Sequence, residues 1–188
     1  MQVTEKTFEE LALSDPQAHW ELWDGEPRMK PGMTSAHGRF PARLAHDLYD
    51  QLDWDMYDVR VNASHVRRTA KNYFIPDLMV FPTWVVAEFE GRDDVLETLN
   101  RPLLLVVEVW SPSTGNYDLN TKFAEYKRRG DKEIWRVQPY EHTLTAWRLR
   151  PDGSYAETVY HGGIVPVHSL PGVTIDLDRL LAIPGSQP

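Results

Sequence analysis

The chain contains no cysteine. That excludes a disulfide framework, a thiolate metal centre and a cysteine nucleophile. Long apolar runs are also missing. The longest, Leu103 to Val107, is strand-sized and far short of the ~20 residues that cross a bilayer, so no membrane partner is expected. The opening residues, Met1-Gln2-Val3-Thr4-Glu5-Lys6, show no basic start followed by an apolar stretch, and a cytoplasmic location is expected. No repeat or low-complexity tract is present, nor a glycine-rich phosphate loop, a His-Glu-x-x-His zinc helix or a Gly-x-Ser-x-Gly elbow. Histidines at 19, 37, 46, 65, 142, 161 and 168 have no ligand spacing. The seven tryptophans and eight tyrosines form no stripe suited to single strands and read mostly as core.

What remains is an ordinary globular composition, 41% hydrophobic and 26% charged over 188 residues, sized for one domain. Residues 1–183 are taken as that domain and 184–188 as a frayed tail. The net charge of −8 argues against general attraction to nucleic acid. Residues 27–71 and 101–150 nevertheless carry more bases than acids. They form either a local basic surface or plain solvated faces.

Local patterns outline the elements. Residues 7–13 read as a short helix. Asp24-Gly25 between Trp20-Glu21-Leu22-Trp23 and Glu26-Pro27-Arg28-Met29 predicts a hairpin over 20–29, because Asp-Gly suits a two-residue turn with positive φ. Phe40, Leu44 and Leu48 share one helical stripe within 35–52, and Pro41 should sit in the first turn, placing the helix start near 37–40. Residues 57–68 and 74–81 read as two strands, and the acidic stretch 93–99 as a helical insertion. Leu103 to Trp110 has the continuous apolar character of a strand buried on both faces. Asp118 is a candidate N-cap for a helix ending at Gly130. Strands follow at 134–138, 143–149 and 155–160, with a closing segment at 170–177. The order predicts an α/β or α+β fold with helices packed on a sheet.

Three residues look expensive in these places. Glu108 stands inside the apolar run, where an unpaired buried charge costs several kcal/mol. Asp77 interrupts the apolar stretch 74–81. It reads equally as a turn-proximal Asp after Pro76. Two such carboxylates on neighbouring strands could bind a hard cation such as Mg²⁺. Lys122 lies on the stripe of Leu119, Phe123 and Tyr126 and so faces the sheet, either to snorkel out or to meet the carboxylates. Two carboxylates, a metal and a lysine suit phosphodiester hydrolysis.

These residues belong to a longer pattern: Glu21-Leu22-Trp23-Asp24-Gly25-Glu26, His37 and its helix, Pro76-Asp77, Val107 to Thr114, Asp118, Lys122-Phe123, Tyr126, Gly130, Glu133-Ile134-Trp135 and Leu170-Pro171-Gly172. In it the chain resembles the Uma-type restriction endonuclease family of the PD-(D/E)XK nuclease superfamily. The resemblance implies a restriction-endonuclease-like fold, a mixed central β-sheet flanked by helices, with an N-terminal hairpin. It implies Asp77 and Glu108 as ligands of Mg²⁺ or Mn²⁺, and Lys122 as the catalytic lysine. The superfamily lysine usually stands two residues after the second acid, and here that place holds Trp110. Glu21 or Glu26 is a candidate to join the metal shell, and the sequence does not choose. His37, Asp118 and Tyr126 are further auxiliary candidates. The family tends to an apolar residue at 131, Tyr at 134 and Asp at 138, where this chain has Asp131, Ile134 and Gln138.

The first reading is a Mg²⁺-dependent endonuclease acting on DNA, a homodimer being the geometry that cuts both strands. Two others stay open: a nucleic-acid-binding or assembly module with a vestigial site, and a metal-free hydrolase using Asp77 and Glu108 as acid and base.

Overall fold

The apolar run near residue 105 forms a strand whose five residues, Leu105–Val109, are all buried. A strand this apolar needs cover on both faces, and the surrounding elements supply it. The computed structural model describes residues 1–15, 17–30, 35–111 and 115–182, with only the backbone at 36, 37 and 115–119. In chain order the elements are α1 (Glu5–Ser14), β1 (Trp20–Trp23), β2 (Glu26–Met29), α2 (Ser35–Tyr49), β3 (Tyr57–Val61), β4 (His65–Thr69), β5 (Asn72–Phe74), β6 (Leu78–Pro82), β7 (Thr98–Leu99), β8 (Leu105–Val109), α3 (Gly115–Arg129), β9 (Glu133–Gln138), β10 (Thr143–Leu149), β11 (Tyr155–Tyr160), β12 (Ile164–Pro166), β13 (Thr174–Asp176) and α4 (Leu177–Leu181), with a 3₁₀ turn at Thr83–Val86.

The central sheet has the order β11-β10-β9-β8-β6-β3, and β8 and β9 are its parallel pair. A second sheet, β2-β1-β5-β4-β7, is also mixed, through parallel β4 and β7. Side chains alternate across β8. Leu105, Val107 and Val109 pack with Phe40, Leu44 and Leu48 of α2 and Leu177 and Leu180 of α4. Val106 packs with Phe123 and Tyr126 of α3 and with Trp23 and Phe74 of the second sheet. The same alternation turns Glu108 toward α3. The fold is thus the mixed α+β architecture expected, with a second sheet that local patterns did not reveal.

The hairpin over 20–29 forms as read, with Asp24 and Gly25 at φ 46° and 82°. Other expectations need correction. The strand expected over 57–68 is two strands in different sheets, because Asn62 and Ser64 adopt φ of 49° and 62° and turn the chain. The stretch 74–81 likewise divides at Ile75-Pro76-Asp77, where proline supplies no ladder hydrogen bond, so Asp77 precedes β6 by one residue. These two crossings touch, the Asn62 amide donating to the Asp77 carbonyl at 3.1 Å. The expected helix at 93–99 does not form; β7 closes that stretch against β4. Helix α2 begins at Ser35, so Pro41 lies inside it, and the buried stripe of Phe40, Leu44 and Leu48 outweighs the lost hydrogen bond. Helix α3 begins at Gly115, placing Asp118 inside it and not at its cap. Gly130, at φ 78°, ends it as read. The closing segment holds an unforeseen helix, α4. The expected tail at 184–188 lies outside the described residues.

His65 links the second sheet to α1. Its Nε2–H donates to the Trp20 carbonyl at 2.8 Å, and its ring meets Phe8 edge-on. Burial pushes its pKa below the ordinary 6.5, against the pull of that bond. A lowered folded-state pKa means that the unfolded chain takes up the proton first. The contribution of His65 is therefore complete above pH 6.5 and is lost as the pH falls below it, by up to about 1.4 kcal/mol per pH unit. Urea unfolding at pH 7.5 and 5.5 is expected to show His65→Phe losing less stability than wild type. Identical slopes would remove His65 as the acid-sensitive group.

Candidate active site

Five elements converge between the two sheets. Glu21 comes from β1, Asp77 from the crossing before β6, Glu108 from β8, Lys122 and Tyr126 from α3, and Lys30 from the residue after β2. Helical spacing puts Lys122 and Tyr126 on one face of α3, and they are 5% and 0% exposed. Glu21, Asp77 and Glu108 are 3%, 1% and 3% exposed.

The Lys122 ammonium donates to Glu21 Oε1 at 2.8 Å and lies 3.3 Å from Glu108 Oε1. Glu21 Oε1 also accepts the Ile75 amide at 2.8 Å, and Oε2 accepts the Trp23 indole at 3.0 Å. The Tyr126 hydroxyl donates to Glu108 Oε1 at 2.5 Å. Asp77 is gripped at both oxygens: Oδ1 by Lys30 at 2.8 Å and Oδ2 by the Val109 amide at 2.7 Å. Lys30 also donates to Asn62 Oδ1 and the Ile75 carbonyl, each at 2.7 Å. It therefore clasps the two crossings together.

Among the described residues three carboxylates thus face two ammonium groups. Burial drives the Glu21 carboxyl upward, but Lys122, Lys30 and the hydrogen bonds it accepts hold it below its ordinary value. For Glu108 burial prevails over the pull of Lys122, and the nearby Asp77 raises its carboxyl further. Burial disfavours the Lys122 ammonium, but Glu108, Glu21 and Asp77 more than compensate and hold it above the usual lysine range. Burial, with Glu108 beside it, lifts the Tyr126 phenol well above its ordinary value, so it stays a proton donor.

Among the described residues no group of three or more His, Cys, Asp or Glu is arranged to hold a metal alone. The donor set fits a different mode, since Mg²⁺ keeps several waters and commonly uses one or two carboxylates. Glu108 retains a donor for it: among the described residues its Oε2 accepts no hydrogen bond.

Asp77, Glu108, Lys122, Tyr126 and Glu21 are therefore brought together. Glu26 is not: it is exposed in β2, 3.5 Å from the N-terminal amine. The side chains of His37 and Asp118 lie outside the described residues. Trp110 packs edge-on against Tyr140, with ring centroids 5.8 Å apart. Sequence reasoning missed Lys30. One signal could have found it: turn-forming Asn62-Ala63-Ser64 and helix-breaking Pro76 mark two places where polar groups need a partner.

The family model described as "Uma2: Putative restriction endonuclease" matches residues 6–178. No curated protein matches the chain. A crystal structure described as a putative nuclease belonging to DUF820 from Anabaena variabilis is similar to it, with a TM-score of 0.76 and 15% identity over 95% of this chain and 97% of that one. At that identity the likeness speaks for the fold. No helix among the described residues is long and apolar enough to cross a membrane.

Proposed function

The chain belongs to the Uma2 putative restriction endonuclease family, and from that premise we propose that it is a metal-dependent endonuclease hydrolysing phosphodiester bonds in DNA. The observation that carries this reading is the convergence of Asp77, Glu108 and Lys122 in one buried cluster. Asp77 and Glu108 would hold Mg²⁺ or Mn²⁺, whose chemistry when bound is to neutralise a phosphate oxygen and acidify a water. The other roles fall to the chain itself. Glu21 fixes the Lys122 ammonium, which serves as a donor and positive charge against the anionic transition state. Tyr126 fixes Glu108 through Oε1 and leaves Oε2 for a cation. Lys30 and the Val109 amide hold Asp77 in place. A homodimer would bring two such sites to one duplex.

The test is isothermal titration of Mg²⁺ and Mn²⁺ into wild type and Glu108→Gln, with plasmid cleavage measured on the same samples. Glu108→Gln keeps the shape of the side chain and its Tyr126 contact. It is expected to weaken metal binding about 100-fold, since residues that merely orient a ligand are worth 10–100-fold, and to remove cleavage. Metal binding without cleavage of any plasmid would favour a binding module. Cleavage that survives a chelator would favour a metal-free hydrolase.

A further inference from the structure

The sheet face bearing Glu108 extends past the cluster. Strands β8 and β9 are parallel, with Glu108 in register beside Arg136, so both side chains share that face. One row further the chain continues as Trp110, whose amide donates to the Val137 carbonyl at 2.8 Å. Beside it Gln138 pairs with Thr143 of β10. Trp110, Arg136, Gln138, Glu141 and Thr143 line a cavity of about 200 Å³. It sits at the carboxyl ends of the two parallel strands, the position where open α/β sheets take their ligands.

Among the described residues two groups lining this cavity have polar capacity to spare. Arg136 is half-buried, with its guanidinium 5.5 Å from the centre of the Trp147 ring. Among the described residues it forms no ion pair. The side-chain oxygen of Gln138 is buried and accepts no hydrogen bond among the described residues. The cations of the neighbouring cluster are engaged differently: Lys30 spends its three hydrogen bonds on protein oxygens, and Lys122 lies between Glu21 and Glu108. Among the described residues a phosphodiester entering that cluster meets three carboxylates and two ammonium groups already engaged by them, whereas Arg136 offers a charge not paired with a carboxylate.

We infer that this cavity is a phosphate subsite, in which Arg136 and the Gln138 amide take a backbone phosphate adjoining the one presented to Glu108. The guanidinium fork matches a phosphate with two parallel hydrogen bonds, which an ammonium cannot do. The Gln138 amide, turned about its last bond, adds an N–H donor. Thr143 adds a hydroxyl. Glu141 also lines the cavity but is exposed, so its charge is screened by solvent. The ligand is thus a nucleic-acid strand held by its backbone. The inference rests on the endonuclease reading and adds where the strand runs.

The experiment is fluorescence anisotropy of a labelled 20-base-pair duplex in EDTA, where metal-dependent cleavage is silent, across a KCl series. Arg136→Gln is expected to weaken binding about 10-fold, the worth of one charged hydrogen-bonding group. The slope of log affinity against log salt should fall by about one. Arg136→Lys should keep most of the slope but not all of the affinity. Gln138→Glu, which puts a carboxylate in the cavity, should weaken binding while Mg²⁺ titration stays as in wild type. Wild-type binding matched in affinity and slope by Arg136→Gln and Gln138→Glu overturns the subsite alone. Wild type that neither binds nor cuts any duplex overturns the endonuclease reading and the subsite with it.

Discussion

Lys122→Met is expected to lower plasmid cleavage by about 100- to 1,000-fold, the loss seen when one donor aimed at developing charge is removed. It is also expected to lower folding stability by about 3–5 kcal/mol, because breaking a buried ion pair from one side leaves uncompensated charge. Both effects share one cause. The ammonium sits 2.8 Å from Glu21 and 3.3 Å from Glu108, beneath the Trp23 and Phe74 rings. Methionine fills much of the same space but, among the described residues, leaves Lys30 as the one ammonium beside three buried carboxylates. Lys122→Arg separates charge from geometry. It keeps the cation, so most of the stability should return, but a planar guanidinium does not fit the place of a compact ammonium. Cleavage should stay low. Urea unfolding and a plasmid assay on both variants measure this. Full cleavage by Lys122→Met would discard the catalytic role, and unchanged stability would show that the cluster is better hydrated than its burial indicates.

The second large effect lies outside the cluster. Arg129 and Asp131 are 8% and 0% exposed, and Arg129 Nε lies 3.1 Å from Asp131 Oδ2. The guanidinium also donates to the carbonyls of Arg67, Leu99 at 2.9 Å and Arg101 at 2.5 Å. One side chain thus ties the end of α3 to β4 and β7. Asp131 accepts the Leu103 amide at 2.7 Å. Burial pushes the Asp131 carboxyl above its ordinary value, while Arg129 draws it back. Arg129→Met is expected to cost about 3–5 kcal/mol, since it strands a buried carboxylate and unpairs three carbonyls. Adding Asp131→Leu removes the stranded charge but not the orphaned carbonyls and Leu103 amide. The double variant should therefore regain only part of the loss. Thermal unfolding of the single and double variants decides this. A double variant as stable as wild type would mean that the backbone bonds add little. A harmless single variant would sink the role altogether.

Features set by neighbouring residues were readable from sequence. The hairpin at 20–29 follows from the positive φ that Asp24-Gly25 allows, and the end of α3 from Gly130. The inward direction of Lys122 follows from its spacing to Phe123 and Tyr126, and the burial of β8 from its composition. Asp77 and Glu108 stood out because a carboxylate in an apolar strand needs a reason. Legibility stopped where the partner is remote in sequence. Residues 57–61 and 65–69 form separate strands on either side of the turn-forming Asn62-Ala63-Ser64, but only the packing of the two sheets decides that these halves join different sheets. Arg129 is one of three successive bases at the end of α3, and local pattern does not single it out, because two of its three carbonyl partners come from β4 and β7.

Glu21 and Glu26 show where the division falls. Both are acids of one hairpin, and the sequence makes them equal candidates. Only the packing of β1 against α3 turns Glu21 to Lys122 and leaves Glu26 in water. Lys30 is the same case, since its three oxygen partners lie 32, 45 and 47 residues away. The sequence by itself determined which side chains would be too costly to bury alone, because that cost is local to each group. The tertiary structure decided which of them meet, because compensation requires an opposite charge within a few ångströms, and such a distance between remote residues is set by how the sheets pack.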